Sequence, residues 1–393
     1  MTTTTTKDGR EGQDDKNGGA DSDVDEEMDP ALVAGWEALD AGEIDEARAA
    51  AQGYPPDGPL RVEALMLAAA CQREDGDVDG ALGMLQKAAK AEPDWCTPEL
   101  WMAELLLDDS ERLEEALPHA HRALDLAEEE DEYLASLSVK AAVELGLGRP
   151  SDARRTLDGL PPEDTVLDDP AMAVDLAQLL IEAGNVPGAR ARLETLVVAE
   201  SEDADAWYWL GIAAEAGGDE TRKRAAWLQT RALDVADAEH SAAHAHDHGH
   251  DHGHDHDHDH DHGDDDHHHD QGENLTEEML VTVAEETLAA LPTQFRDLLG
   301  NVPIVVAERP ALADVEAGLD PRVLGLFNGA PHGERGATAD MPGVTEIVLF
   351  RQNIERVAAD DDELRDEIRT TLLHEAGHFF GLDEEGLARL GLD

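Results

Sequence analysis

A chain of 393 residues has room for about two or three domains, each with its own core. Its 91 Asp and Glu against 29 Lys and Arg leave a formal net charge of -62, which argues against partners held through phosphates, nucleic acid and anionic membranes alike. No apolar run reaches the roughly 18 residues of a membrane span, and the N-terminus lacks the apolar stretch of a signal peptide, so the expected setting is the cytoplasm.

Residues 1–28 are acidic, rich in Gly, Thr and Asp, and offer almost nothing to bury; disorder is expected there. From 29 to 237 the sequence repeats. Alanines recur at Ala47, Ala81, Ala116, Ala153, Ala189 and Ala225, at intervals of 34, 35, 37, 36 and 36 residues. Around Ala81 the pattern continues with Leu85, Ala88 and Pro93, and the last unit supplies Trp207, Leu210, Gly211 and Ala214. These residues resemble the tetratricopeptide repeat. Each unit reads as two amphipathic helices joined by a Gly/Asp turn, and about six units stack because no pair can bury its apolar face alone. Such a solenoid presents a surface to a protein or peptide; the plainer reading is a spacer. Cys71 and Cys96, the only cysteines, make no disulfide framework, and Cys71 reads as a small core residue.

Residues 238–272 form the next segment. Positions 240–270 hold 14 of the 19 histidines, interleaved with Asp. No packed core is expected, so the segment reads as a flexible linker whose imidazoles and carboxylates suit zinc, nickel, cobalt or copper.

Residues 273–393 read as a small α+β domain. The stretch 274–295 reads as an amphipathic helix with Thr276 as its N-cap. Short β-rich runs follow in "NVPIVVAERP" and "VLGLFNG", and the strongest strand is Thr345 to Phe350. That strand reads either as core or as a sheet edge that pairs with an extended substrate. "DDDELRDEIRTTLLHEAGHFF" then opens with acidic residues, as a helix N-terminus prefers, and runs about five turns.

On this last helix His374 and His378 are four residues apart, so both imidazoles leave one face within reach of a single ion. Glu375 lies beside them, placed as general base for a metal-activated water. Gly381 can take a positive φ, turn the chain back, and bring Glu384 up as a third ligand; Asp383 and Glu385 compete for that role. Two neutral imidazoles and one carboxylate match a catalytic zinc site with an open position. The 15 residues after His378 fit the compact HExxHxxGxx-ligand spacing rather than a ligand on a distant helix. His332 is a secondary candidate for an oxyanion contact, though a loop histidine without a role is the simpler reading.

Together "LPTQFRDLLGNVPIVVAERP", "VLGLFNGAP", "TEIVLFRQNIER" and "ELRDEIRTTLLHEAGHFFGLDEEGLARLG" resemble the minimal zincin-like metallopeptidase family of bacteria. The resemblance implies a small zincin fold holding one zinc through two His and an acidic residue. The family often has Asp at the third ligand position, which here is Glu384. The sequence thus reads as an all-α tetratricopeptide-like solenoid followed by a small zincin-like domain. The leading function is a zinc-dependent peptidase whose repeats recruit a protein substrate or partner. The alternatives are an interaction scaffold with a structural zinc domain, and a metal buffer built on the His/Asp tract.

Overall fold

The computed structural model describes residues 29–55, 58, 61–247, 277–291, 293–299, 302–329, 346–383, 386 and 389. The expectations for residues 1–28, for the His/Asp tract beyond Asp247, and for Thr276, His332, Thr345, Glu384 and Glu385 lie outside those residues. The chain divides into two compact units, one ending at Gly146 and one beginning at Leu147.

The first unit holds α1 (Pro30–Asp40), α2 (Ile44–Gln52), α3 (Arg61–Glu74), α4 (Val78–Ala91), α5 (Thr97–Leu107), α6 (Leu113–Leu126) and α7 (Glu130–Gly146). Consecutive helices pack as pairs, α1 on α2, α3 on α4 and α5 on α6. The second unit opens with α8 (Pro150–Leu157), α9 (Pro170–Glu182), α10 (Val186–Ala199), α11 (Ala204–Ala216) and α12 (Glu220–Asp247), where α9 pairs with α10 and α11 with α12.

The alanine pattern has a structural cause. Ala47, Ala81, Ala116, Ala153 and Ala189 are each the fourth residue of their helix, and each is fully buried where a larger side chain would push the helices apart. In four of these units a glycine five residues earlier takes a positive φ in the turn: Gly42, Gly76, Gly148 and Gly184. The last unit departs from expectation. Ala225 is exposed, and the register set by Gly218 (φ 72°) puts Lys223 in the alanine's place. Lys223 fits because its aliphatic stem lies buried while its ammonium reaches Glu215 at 3.1 Å and Glu220 at 2.9 Å. The same ammonium stands 5.1 Å from the ring centre of Trp227, whose indole packs closely against Gly211.

α12 also runs further than the repeat pattern suggests, continuing through Asp247 into the start of the His/Asp tract. Alanines at 236, 238, 242, 243 and 245 favour the helix there.

After this come α13 (Glu277–Ala290), α14 (Thr293–Leu299), β1 (Ile304–Ala307), α15 (Leu312–Ala317), β2 (Gly325–Asn328), β3 (Glu346–Phe350), α16 (Arg351–Val357) and α17 (Asp361–Phe379). The sheet order is β1-β3-β2, with β1 parallel and β2 antiparallel to β3. The strand expected as a possible edge is therefore the central one, hydrogen-bonded on both sides, and β2 takes the edge beside α17. Ile347 and Leu349 of β3 join Leu280, Val283 and Ala284 of α13 and the buried stripe of α17 in one core. That stripe is Leu364, Ile368, Leu372, Ala376 and Phe379, spaced by four, four, four and three residues as one face of a helix requires.

Candidate active site

α17 starts cleanly because the Asp360 carboxylate accepts hydrogen bonds from Asp362 N and Glu363 N, both at 2.9 Å. Its buried stripe fixes the rotation of the helix about its axis. His374, Glu375 and His378 are thereby placed beside Gly325 and Phe327 of β2.

The helix ends at Gly381, whose φ of 82° only glycine adopts without strain. Leu382 N returns to Gly377 O at 3.1 Å, and this reversal swings the Leu382 carbonyl to 3.1 Å from His378 Nδ1. A proton on Nδ1 donated to that carbonyl leaves Nε2 unprotonated, the tautomer a metal requires. The Nε2 atoms of His378 and His374 stand 3.1 Å apart with the rings nearly perpendicular, at 79°. Two nitrogens about 2.0–2.1 Å from one tetrahedral zinc lie about 3.3 Å apart, so the pair fits the ion closely.

Glu375 is only 6% exposed and lies against β2. There the backbone approaches so closely that a Cβ on Gly325 would stand 3.0 Å from Glu375 Cγ and 2.7 Å from Thr371 Cγ2. A cavity of about 450 Å³ opens over these groups, lined by Gly325, Phe327, His374, Glu375, His378 and Asp383. Asp383 is thus present at the site, but its Oδ1 accepts from Gly386 N at 2.9 Å. Among the described residues no three His, Cys, Asp or Glu side chains are grouped to hold one ion. Glu384 and His332 lie outside those residues.

A second cavity of about 320 Å³ shares His374 and Glu375 with the first and reaches the repeats, where Tyr208 of α11 forms part of its wall. The Tyr208 hydroxyl donates to Asp320 Oδ2 at 3.0 Å. Burial pushes the Asp320 carboxyl above its ordinary range, and burial together with that carboxylate raises Tyr208. Next to them Arg322 crosses to the repeats. It meets Asp234 of α12 through two hydrogen bonds at 3.0 and 3.1 Å, meets Asp205 of α11 at 2.5 Å, and lies 4.8 Å from the Tyr208 ring centre. The backbone either side of Arg322 is held from within the domain, where buried Asn353 donates to Pro321 O at 3.0 Å and Val323 O at 2.7 Å. Arg356 also reaches Asp234, at 2.7 Å, and Arg231 donates to Pro310 O at 2.9 Å. Sequence reasoning missed this junction. Its partners lie 88 and 117 residues from Arg322, and no local pattern announces such a pair.

The chain carries tetratricopeptide-like helical repeats followed by a small α+β domain that is similar to zincin-like metallopeptidases. Residues 299–392 match the family model for zincin-like metallopeptidases, and residues 32–94 and 174–238 match that for tetratricopeptide repeats. Among solved structures, a tetratricopeptide repeat protein from Parabacteroides merdae is similar at 17% identity, covering 54% of this chain and 88% of that one with a TM-score of 0.38. PilF of Pseudomonas aeruginosa is similar at 17% identity over 55% of this chain and 96% of that one, with a TM-score of 0.41. PilW, a type IV pilus biogenesis factor, shares 18% identity over 51% and 91%, with a TM-score of 0.40. No curated protein matches the chain. Among the described residues no helix is long and apolar enough to cross a membrane.

Proposed function

We propose that this protein is a zinc-dependent peptidase whose repeats receive a protein substrate or partner. The observation that carries the reading is the convergence of His374 and His378 Nε2 at 3.1 Å in a cavity that Glu375 also lines. His374 and His378 would hold the ion with Glu384 as third ligand, and Asp383 is the nearest alternative. Zinc so held supplies a water of lowered pKa and polarises the scissile carbonyl.

The chain's own groups do the rest. Glu375 takes the proton of the attacking water and passes it to the leaving amine, and its packing against Gly325 holds the carboxylate in one place for both transfers. His378 is kept in its ligating tautomer by the Leu382 carbonyl. The side of β2 that pairs with no other described strand would offer backbone donors and acceptors to an extended peptide running over the cavity. Tyr208, in the wall of the adjoining cavity, brings the last repeat to the substrate's path.

The test compares zinc-loaded wild type with Glu375→Gln in the full chain, on unfolded protein and peptide-library substrates. His374→Ala should lower the zinc content of each by about one ion per chain, beyond whatever the His/Asp tract holds, and the Glu375→Gln variant should lose about 10²–10⁴ in cleavage rate. Wild type that binds zinc but cleaves nothing in the library would replace this reading with an interaction scaffold carrying a structural ion.

A further inference from the structure

The chain is acidic almost throughout, yet its first unit contains a cationic groove. Between α2 and α4, across α3, lies a cavity of about 530 Å³. Arg48, Arg61, Lys87 and Lys90 line it over an apolar floor that includes Leu65 and Met84, and among the described residues no Asp or Glu lines it.

The pairing of these cations sets them apart. Arg48 is neutralised by Asp45, at 2.7 Å, and by Asp75. Arg61, Lys87 and Lys90 meet no carboxylate among the described residues; Lys87 donates instead to the Met84 sulfur at 3.6 Å. The other described lysines behave differently, Lys140 lying on Glu144 at 2.7 Å and Lys223 on Glu215 and Glu220. Helix formation explains only part of this. Lys90 is in the last turn of α4, where the helix dipole favours a cation, but Arg61 is the first residue of α3, where it does not. With 91 acidic residues in the chain, three cations left open around one concave surface form a local reversal of sign.

We propose that this groove binds an extended acidic segment of a protein partner. Asp and Glu side chains of the partner would meet Arg61, Lys87 and Lys90, and its small apolar side chains would rest on Leu65 and Met84. The net charge of the chain repels such a segment at long range. Salt near 0.15 M screens that repulsion beyond about 8 Å, so the groove acts at contact distance. The inference deepens the partner-receiving role given to the repeats and is independent of turnover at the zinc site.

One competitor lies within the chain. Residues 1–28 carry nine acidic against three basic residues, and Asp29, which follows them, accepts a hydrogen bond at 2.6 Å from Tyr54, itself a groove residue.

The experiment measures fluorescence anisotropy of a labelled peptide of about twelve residues, alternating Asp/Glu with Ala/Leu, against the full chain. The Glu375→Gln background keeps the peptide intact, and an Asn/Gln version serves as the neutral control. The acidic peptide should bind at least tenfold more tightly than the neutral one. Lys87→Glu with Lys90→Glu, both on exposed positions and checked by unchanged circular dichroism and melting, should abolish that preference. Equal binding of the two peptides, or undiminished acidic binding to the reversed variant, overturns the proposal. A tenfold gain in acidic-peptide affinity on deleting residues 1–28 would overturn the choice of an external partner and assign the groove to the chain's own terminus.

Discussion

Arg322, three residues ahead of the strand that borders the candidate site, holds Asp234 of the last repeat helix by two parallel hydrogen bonds at 3.0 and 3.1 Å. Both side chains are nearly buried, at 11% and 9% exposure. The fork geometry ties α12 to the loop that feeds β2.

Arg322→Ala should therefore destabilise the second unit by about 3 kcal/mol, because it leaves the Asp234 carboxylate buried with Arg356 as its remaining partner. Urea unfolding measures it. A double-mutant cycle with Asp234→Ala should return a coupling above about 1 kcal/mol, and additive effects would mean that the two residues do not act together.

Gly325→Val should silence the site without emptying it. The added side chain would meet Thr371 and Glu375 at the distances given above, and the Val348 carbonyl closes the third direction at 3.3 Å. Displacing Glu375 by even about 1 Å costs on the order of 10²-fold in rate. Zinc content unchanged from wild type with cleavage lost is the expected pair of results, and normal cleavage would place the general base elsewhere.

Gly211→Ala tests the last repeat. A Cβ there would stand 2.1 Å from Trp227 Cδ1 and Nε1, and Trp227 is 2% exposed with nowhere to move. Overpacking of this kind costs about 1–3 kcal/mol, which thermal melting would register as a fall of several degrees. An unchanged midpoint would contradict the packing described.

The two thiols should be unreactive in the folded protein. Burial pushes Cys96 up to about 11 and raises Cys71 as well. Since the folded thiol holds its proton more tightly than the unfolded one, its contribution to stability is complete below the ordinary value of 9.0 and is lost as pH rises toward 11. An aromatic disulfide reagent at pH 8 should label neither cysteine until denaturant is added. Rapid labelling of the native chain would refute the burial of both.

Much of this architecture was legible in the sequence because it is written in local periodicity. Small residues recur where helices touch, and a helix that carries two histidines four apart declares its own face. The last repeat was misplaced because Ala225 continued a numerical series while the turn glycine Gly218 had already moved the buried position to Lys223. Thr345 to Phe350 was readable as a strand but not as a central one, since alternation records which face is buried and nothing about what lies on either edge. The Arg322 junction was invisible for a stronger reason. An ion pair across 88 residues leaves no trace in the spacing of either partner. The expectation that Glu384 is a third ligand rests on spacing alone, and that residue lies outside the described residues.

The Arg322 junction also decides where this protein can be cut. A fragment limited to residues 299–392, the region matched by the zincin-like family model, would take Arg322 away from Asp205 and Asp234 and leave Asp320 without the Tyr208 hydroxyl. It would also omit α13, which supplies Leu280, Val283 and Ala284 to the core. Residues 147–393 retain every one of those contacts. Truncation for biochemistry or crystallisation should therefore treat the last two repeats as part of the same folded body as the zincin-like domain, and a failed minimal fragment would reflect lost scaffolding.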